Sequence, residues 1–181
     1  MGAVVHSLPT LDEAADLLVN CVCAELEAEG RPVCACSKTI GSPMVAVGCE
    51  CGARGASGEL WVNFSTMYAA DPTTLQRGSF VYPCRKVATV AEFRITVTRC
   101  FPTLTERGDL PSPEDQAEAA STYHSDLQAV WRAVSCCVTE STRALFVNVE
   151  NADPEGGLSA LVVTVAVEVR TPPSPALPSS D

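Results

Sequence analysis

Residues 158–170 read LSALVVTVAVEVR, and every second residue from position 161 onward is a large aliphatic one. Successive side chains of a β-strand point to opposite faces of the sheet, so this stretch predicts a strand with one continuous apolar face. We expect a helix to pack on that face. It consists of Leu161, Val163, Val165, Val167 and Val169.

This strand is the second arm of a predicted hairpin. The first arm spans 144–149, and the segment 151–157 (NADPEGG) supplies turn-forming residues between the arms. Further upstream, residues 88–100 alternate in the same way and predict another strand. Shorter patterns predict strands at 32–37, 44–51 and 59–68, with a Gly-Ser-Pro turn at 41–43 between the first two.

Two helices are predicted from their start signals. Thr10 and Glu13 have the spacing of a capping box and open a helix over 11–29. Ser112 followed by a proline opens the second helix, which is expected to continue to about Cys136. The apolar face of the second helix is expected to comprise Ala117, Ala120, Leu127, Val130, Trp131 and Val134.

The resulting element order is α-β-β-β-β-α-β-β. It predicts an α+β fold with two helices packed on a mostly antiparallel sheet. One domain over 10–170 is expected, preceded by a flexible start at 1–9 and followed by a disordered Pro/Ser-rich tail at 171–181. The connections at 69–83 and 101–112 are long for a compact sheet, and we expect them to contact neighbouring protein.

The composition disfavours several classes of function. The chain has 181 residues and a net charge of −10, and its bases form no cluster, which disfavours a nucleic-acid reader. No stretch reaches the roughly 20 apolar residues of a membrane helix. The start MGAVVHSLPT lacks the basic region of a signal peptide. We therefore expect a protein made in a cytoplasm, without a membrane partner.

Familiar catalytic motifs are absent from the sequence, which contains no nucleophile elbow, nucleotide-binding glycine loop or zinc-protease helix motif. Of its two histidines, His6 lies near the start and His124 lies within the second helix, where a surface position is the simpler interpretation. Glu114, Asp115 and Glu118 cluster at a helix start, where carboxylates stabilise the helix dipole. The expectation is a protein that is not an enzyme, with no catalytic residue and no cofactor.

Ten cysteines leave three interpretations open, and C-x-C pairs begin at positions 21, 34 and 49. Free cysteine behaves as a small buried apolar residue, and this interpretation is favoured over disulfides, with a metal site third. The usual zinc knuckle is C-x-x-C on a turn rather than C-x-C along a strand. Any bridge between the two strand pairs is expected to cross strands, as Cys36–Cys49 or Cys34–Cys51.

The remaining cysteines lie on or near the helices. Cys21 falls on the apolar stripe of the first helix, which fits the interpretation as apolar filling. If the second helix packs back across the sheet, its end brings Cys136 or Cys137 near Cys84, while Cys100 stays near the start of that helix. No metal ligand set is assigned to any of them.

The order of several features resembles a known group of proteins. An LWV strand is followed by a long loop and Cys84, and then by a strand that ends in Arg99-Cys100-Phe101-Pro102. A capped, Ala-rich helix carries Asp126 and ends in the Cys136-Cys137 pair, and a Val-rich hairpin follows. Over residues 10–170 this arrangement resembles the tail terminator and head–tail connector proteins of long-tailed phages that infect actinobacteria.

The resemblance implies a structural virion protein without catalytic residues. Tail terminators form a ring, usually a hexamer, that caps the head-proximal end of the tail tube, ends its polymerisation and joins the tail to the head connector. The implied partners are the major tail tube protein below and the head-completion or stopper protein above, with viral DNA passing through the channel without specific binding. A head-completion, stopper or other neck protein is the alternative, and a cysteine-metal binding module is the second alternative.

Overall fold

The computed structural model describes residues 7–41, 56–77, 87–102, 110–155 and 157–170. Two long helices, α1 (Leu11–Ala28) and α2 (Pro113–Arg132), pack on one five-stranded sheet. A π-helical segment, Ala133–Val138, prolongs α2 and is called the π-segment below; a single turn, α3 (Thr139–Ser141), follows it. The strands are β1 (Ala35–Ile40), β2 (Glu59–Ala70), β3 (Ala88–Cys100), β4 (Ala144–Glu155) and β5 (Leu158–Val169).

The strands lie in the order β1-β2-β3-β5-β4, and every neighbouring pair except the parallel β1 and β2 is antiparallel. This confirms the predicted α+β class, with two helices on a mostly antiparallel sheet, and the described elements follow the predicted order. The strand predicted at 44–51 lies outside the described residues. The predicted tail at 171–181 also lies outside them, and the division of the chain into domains stays a prediction.

Local signals placed most element boundaries well. Both helix starts are where they were predicted. Thr10 and Glu13 form the predicted capping box, and Ser112 caps α2 as predicted, where it also forms a capping box with Asp115. The prediction for β1 was three residues too early, because residues 32–34 instead bond to the segment that leads into β2: Ser57 N donates to Pro32 O, and Cys34 N donates to Gly58 O.

The turn of the last hairpin was predicted too long. Residues 151–157 were expected to connect the arms, but β4 continues to Glu155 and the chain reverses just before Leu158. Residues 150–152 pair with 160–162, and a bulge after Ala152 absorbs the irregular stretch. Turn-forming residues in a bulged strand carry the same sequence signal as a loop, which explains the error.

The core lies between the helices and one face of the sheet. The predicted apolar face of β5 is confirmed, since all five of its residues are at most 2% exposed. Leu18, Val22 and Leu26 of α1 pack on this face of the sheet, and α2 contributes Val130. Phe93 and Ile95 of β3 lie at the centre of the layer. Each such side chain contributes about 1.5–3 kcal/mol by its removal from water.

Val165→Asp tests this core. The substitution places an unpaired carboxylate at a fully buried position, so we expect the free energy of unfolding to fall by about 4 kcal/mol or more, measured by urea denaturation. The matched control is Thr164→Asp on the opposite face, beside Arg94 of β3. This control should lose far less free energy of unfolding than Val165→Asp. A loss for Thr164→Asp as large as or larger than that for Val165→Asp would contradict the assignment of the core to this face.

Candidate functional site

A buried ion pair joins the end of β3 to the middle of α2. Arg99 Nε donates to Asp126 Oδ2 at 2.8 Å and Arg99 Nη2 donates to Asp126 Oδ1 at 2.9 Å. The two side chains are 9% and 2% exposed. The planar guanidinium fork matches the carboxylate in this two-point arrangement, which gives the pair a fixed geometry as well as strength.

The other guanidinium hydrogens bond to main-chain carbonyls. Nη1 of Arg99 donates to Pro32 O at 3.2 Å and to Ser57 O at 2.5 Å, and Nη2 donates to Arg31 O at 2.9 Å. One side chain therefore holds α2, the segment that leaves α1 and the segment that enters β2. A buried charge is tolerated only when its hydrogen bonds are made in this way.

Gly58 lets the chain pass close to this centre. Its φ is +71°, and a Cβ at this position would lie 1.8 Å from Thr98 O. Only glycine combines that backbone conformation with such a close approach. Next to it, Glu59 N donates to Thr98 Oγ1 at 3.0 Å, which fixes the start of β2 against β3. The glycine is thus needed to bring the Ser57 carbonyl to Arg99.

A cavity of about 130 Å³ lies beside the ion pair. Its other polar lining includes Ser57, Thr122, Tyr123 and Ser159. Burial raises the pKa of the Tyr123 hydroxyl above its ordinary value. The Asp126 carboxylate is fully engaged by Arg99, so the geometry favours a structural role for the pair.

The residues weighed for catalysis do not converge on this centre. His124 is exposed, with its ring edge-to-face against Tyr123 at 6.1 Å between centroids. Glu114 and Glu118 are exposed on α2, and Asp115 closes the helix cap, as expected of carboxylates at a helix start. His6 lies outside the described residues. The expectation that the chain is not an enzyme stays a prediction.

Two apolar surfaces are the strongest candidates for a functional site, and the first lies at the β4 side of the sheet. We call it the edge patch, and it comprises Trp131, Leu145, Val147 and Val149, all exposed. Trp131 is 54% exposed, and its ring stacks on Phe146 with 4.2 Å between centroids and 9° between planes. A half-exposed tryptophan held flat in this way presents a rigid apolar contact at low entropic cost.

The second surface is a groove between α1 and β1, called the α1–β1 groove. It has a volume of about 510 Å³. Its apolar lining comprises Leu11, Ala15, Ile40, Val62, Phe64 and Phe93. Ile40 is 99% exposed. At the rim, Lys38 Nζ bonds to Asp12 at 2.6 Å and Asp16 at 2.8 Å, and the hydrogen bond to Asp12 is the main cause that raises the pKa of this lysine.

The two surfaces lie at opposite edges of the sheet. The groove is built on β1 and β2 and the edge patch on β4, at the two ends of the strand order. Four interstrand spacings separate these end strands, which is roughly 19 Å. Exposed apolar side chains at the edges of a sheet are candidates for contact with other protein.

Sequence reasoning missed the edge patch. Ala117, Ala120 and Trp131 were expected to face the core, yet all three are exposed. The rest of the expected face is confirmed, since Val130 and Val134 are buried and Leu127 packs against the core. The buried side of α2 also includes Asp126 and Ala129, which were not predicted. The available signal was Asp126 itself, because an acid three and four residues from buried apolar positions indicates a paired charge inside the fold.

The cysteines do not follow the favoured interpretation. Cys21 is buried in the core, as expected, but it is bonded to Cys137 of the π-segment. Cys23 of α1 is bonded to Cys36 of β1. The expected Cys36–Cys49 bridge is therefore wrong. The reason is that Cys36 is in register with buried Leu60, so its side chain shares the sheet face that α1 covers. Cys137 is bonded to Cys21 of α1, and the expected approach of Cys136 or Cys137 to Cys84 involves a residue outside the described ranges.

Other cysteines complete this description. Cys34 and Cys100 are also disulfide-bonded, whereas Cys136 is free and exposed. Cys49, Cys51 and Cys84 lie outside the described residues, so the expected Cys34–Cys51 bridge does too.

Within the described ranges, no group of three or more histidine, cysteine or acidic side chains is arranged to hold a metal ion. Among the helices of the same ranges, none is long and apolar enough to cross a membrane.

Comparisons with known proteins identify no family. No family model matches the chain, and no curated protein matches it. Among solved structures, one similar chain belongs to a structure titled "Virion of native gene transfer agent (GTA) particle". The alignment covers 88% of this chain and 94% of that chain, with 10% sequence identity and a TM-score of 0.37.

Asp126→Ala tests the buried ion pair. It leaves the Arg99 charge buried without its carboxylate, so we expect a loss of about 3–5 kcal/mol in the free energy of unfolding, measured by urea denaturation. Arg99→Lys should also destabilise, because an ammonium lacks the planar fork. The control is Glu118→Ala, an exposed carboxylate on the same helix, with a change within about 0.5 kcal/mol. An Asp126→Ala protein as stable as the control would refute the pairing.

Proposed function

We propose that the chain is a structural virion protein, a phage tail terminator. Copies of it form a ring, hexameric in the resemblance described above, that caps the head-proximal end of the tail tube. The ring ends tube polymerisation and joins the tail to the head connector while DNA passes through. Its partners are further copies of itself, the major tail tube protein and a head-completion or stopper protein.

The observation that carries this proposal is the pair of apolar surfaces at opposite edges of one sheet. Two different patches on one chain favour head-to-tail contacts between copies, in which the edge patch of one copy meets the α1–β1 groove of the next. Such heterologous contacts generate a closed ring when the rotation between copies closes. A single self-complementary patch would instead favour a two-fold dimer.

The charge of the chain supports the same proposal. The net charge is −10, and two of its bases near α1 are already paired: Lys38 with Asp12 and Asp16, and Arg132 with Glu25 and Glu29. A channel wall with excess negative charge repels DNA and lets it slide without sticking. Like charges also oppose association between copies, so apolar contacts must supply the attraction.

A head-completion, stopper or other neck protein is the alternative, because such a protein would also assemble around the DNA path. A cysteine-metal binding module is less well supported, since Cys34 and Cys36 are disulfide-bonded and metal binding needs free thiolates. We propose no catalytic role, because the most buried carboxylate among the described residues is engaged by Arg99.

Particles assembled without this protein separate the two virion roles. For a terminator we expect tails that are overlong or unjoined, seen by electron microscopy, because nothing stops tube growth. Trp131→Asp should give the same defect, since it places a charge in the edge patch, whereas Val87→Asp, at an exposed apolar residue outside both surfaces, should restore normal particles. Filled heads that leak DNA, with tails of normal length, would support the stopper instead.

A further inference from the structure

Two disulfides tie α1 to its surroundings on both sides. Cys21 and Cys23 are two residues apart on the helix, so their side chains leave it roughly 200° apart. One bridge therefore reaches the π-segment through Cys137 and the other reaches β1 through Cys36. The Cα atoms of the bonded pairs are 5.8 Å and 6.3 Å apart, within the usual range for a disulfide.

Noncovalent contacts already hold α1 between the same neighbours. Arg132 at the end of α2 bonds to Glu25 at 3.1 Å, and Lys38 of β1 bonds to Asp16 at 2.8 Å. The apolar side of the helix, with Leu18 and Val22, is buried in the core. These contacts dock α1 without any covalent bond, and docking brings each pair of thiols within bonding distance.

We propose that the two bridges are a redox lock on α1. In a reducing cytoplasm the fold forms with four thiols, and α1 is held by packing and ion pairs alone. After release into oxidising surroundings, a low-molecular-weight disulfide such as glutathione disulfide closes each bridge by thiol–disulfide exchange. Each protein disulfide forms as its two thiols give up two electrons and two protons, and one glutathione disulfide is reduced to two thiols.

The lock acts on a defined part of the surface. Leu11 and Ala15 of α1 form one wall of the α1–β1 groove, and Ile40 of β1 belongs to the other. The Cys23–Cys36 bridge joins these two elements directly. Closing it fixes the width of the groove, whether or not a second copy of the chain occupies it. The lock therefore stands independently of the proposed ring.

The expected effect is on local opening rather than on the whole fold. The two bridges span 13 and 116 residues of the sequence, and crosslinks of this kind reduce the freedom of the opened state. β3 and β5 form the centre of the sheet. β5 contains no cysteine, and β3 contains only Cys100 at its last position, which has a separate disulfide of its own. Reduction should thus loosen α1 and leave the central strands protected.

Hydrogen exchange measured by mass spectrometry tests the lock on the full chain, oxidised with glutathione disulfide or treated with dithiothreitol. We expect peptides of α1 to exchange about a hundredfold faster after reduction, with β5 unchanged; the end of β3 is left out of this comparison because dithiothreitol also opens the disulfide of Cys100. The Cys23→Ser/Cys36→Ser variant should show much of this increase without reductant. Cys136→Ser, which removes only the exposed free thiol, should behave as the oxidised parent does.

Three results would overturn the lock. Exchange in α1 that is the same with and without reductant would show that packing alone fixes the helix. Exchange in β3 and β5 that rises together with that of α1 in the Cys23→Ser/Cys36→Ser variant, where the disulfide of Cys100 is retained, would show that the bridges support the whole fold. Peptide mapping of the oxidised protein that finds Cys21 and Cys23 as free thiols would show that the bridges do not form.

Discussion

The pairing of Arg99 with Asp126 is the constraint on which the arrangement of the layers depends. A charged side chain at the end of β3 is buried only because a carboxylate on α2 and three main-chain carbonyls accept its hydrogen bonds. Those carbonyls belong to the segments that leave α1 and enter β2. The Arg99 guanidinium therefore fixes the position of each helix over the sheet. Gly58 allows the backbone segment before β2 to approach that guanidinium.

This arrangement also explains why apolar surface remains at both ends of the sheet. The helices cover the central strands, where Phe93 and Val165 are fully buried. Toward β4 the helix layer ends with Trp131, which stacks on Phe146 and stays half exposed. Toward β1, α1 leaves a groove in which Phe64 remains accessible. The helices cover the middle of the sheet and leave apolar side chains exposed at both of its edges. This arrangement is suited to association with other protein at both edges.

The sequence predicted what depends on local patterns and missed what depends on distant partners. The faces of β3 and β5 and both helix caps follow from spacing over a few residues, and all were predicted. The partner of Cys36 lies on a helix, so strand spacing pointed to the wrong residue. The exposed side of α2 was misassigned because the alanines and Trp131 match an apolar stripe. The burial of Asp126 is explained only by its pairing with Arg99, which is distant in sequence. The edge patch depends on Phe146, which is distant in sequence.

Head-to-tail association is tested most directly by mixing two variants and measuring masses by native mass spectrometry. Trp131→Asp damages the edge patch and keeps the groove, whereas Ile40→Asp damages the groove and keeps the edge patch. Each variant alone should be monomeric, and an equimolar mixture should give dimers but no ring, because only one intact contact can form between them. Rings formed by the Ile40→Asp protein alone, or a mixture that stays monomeric, would contradict the pairing of these two surfaces.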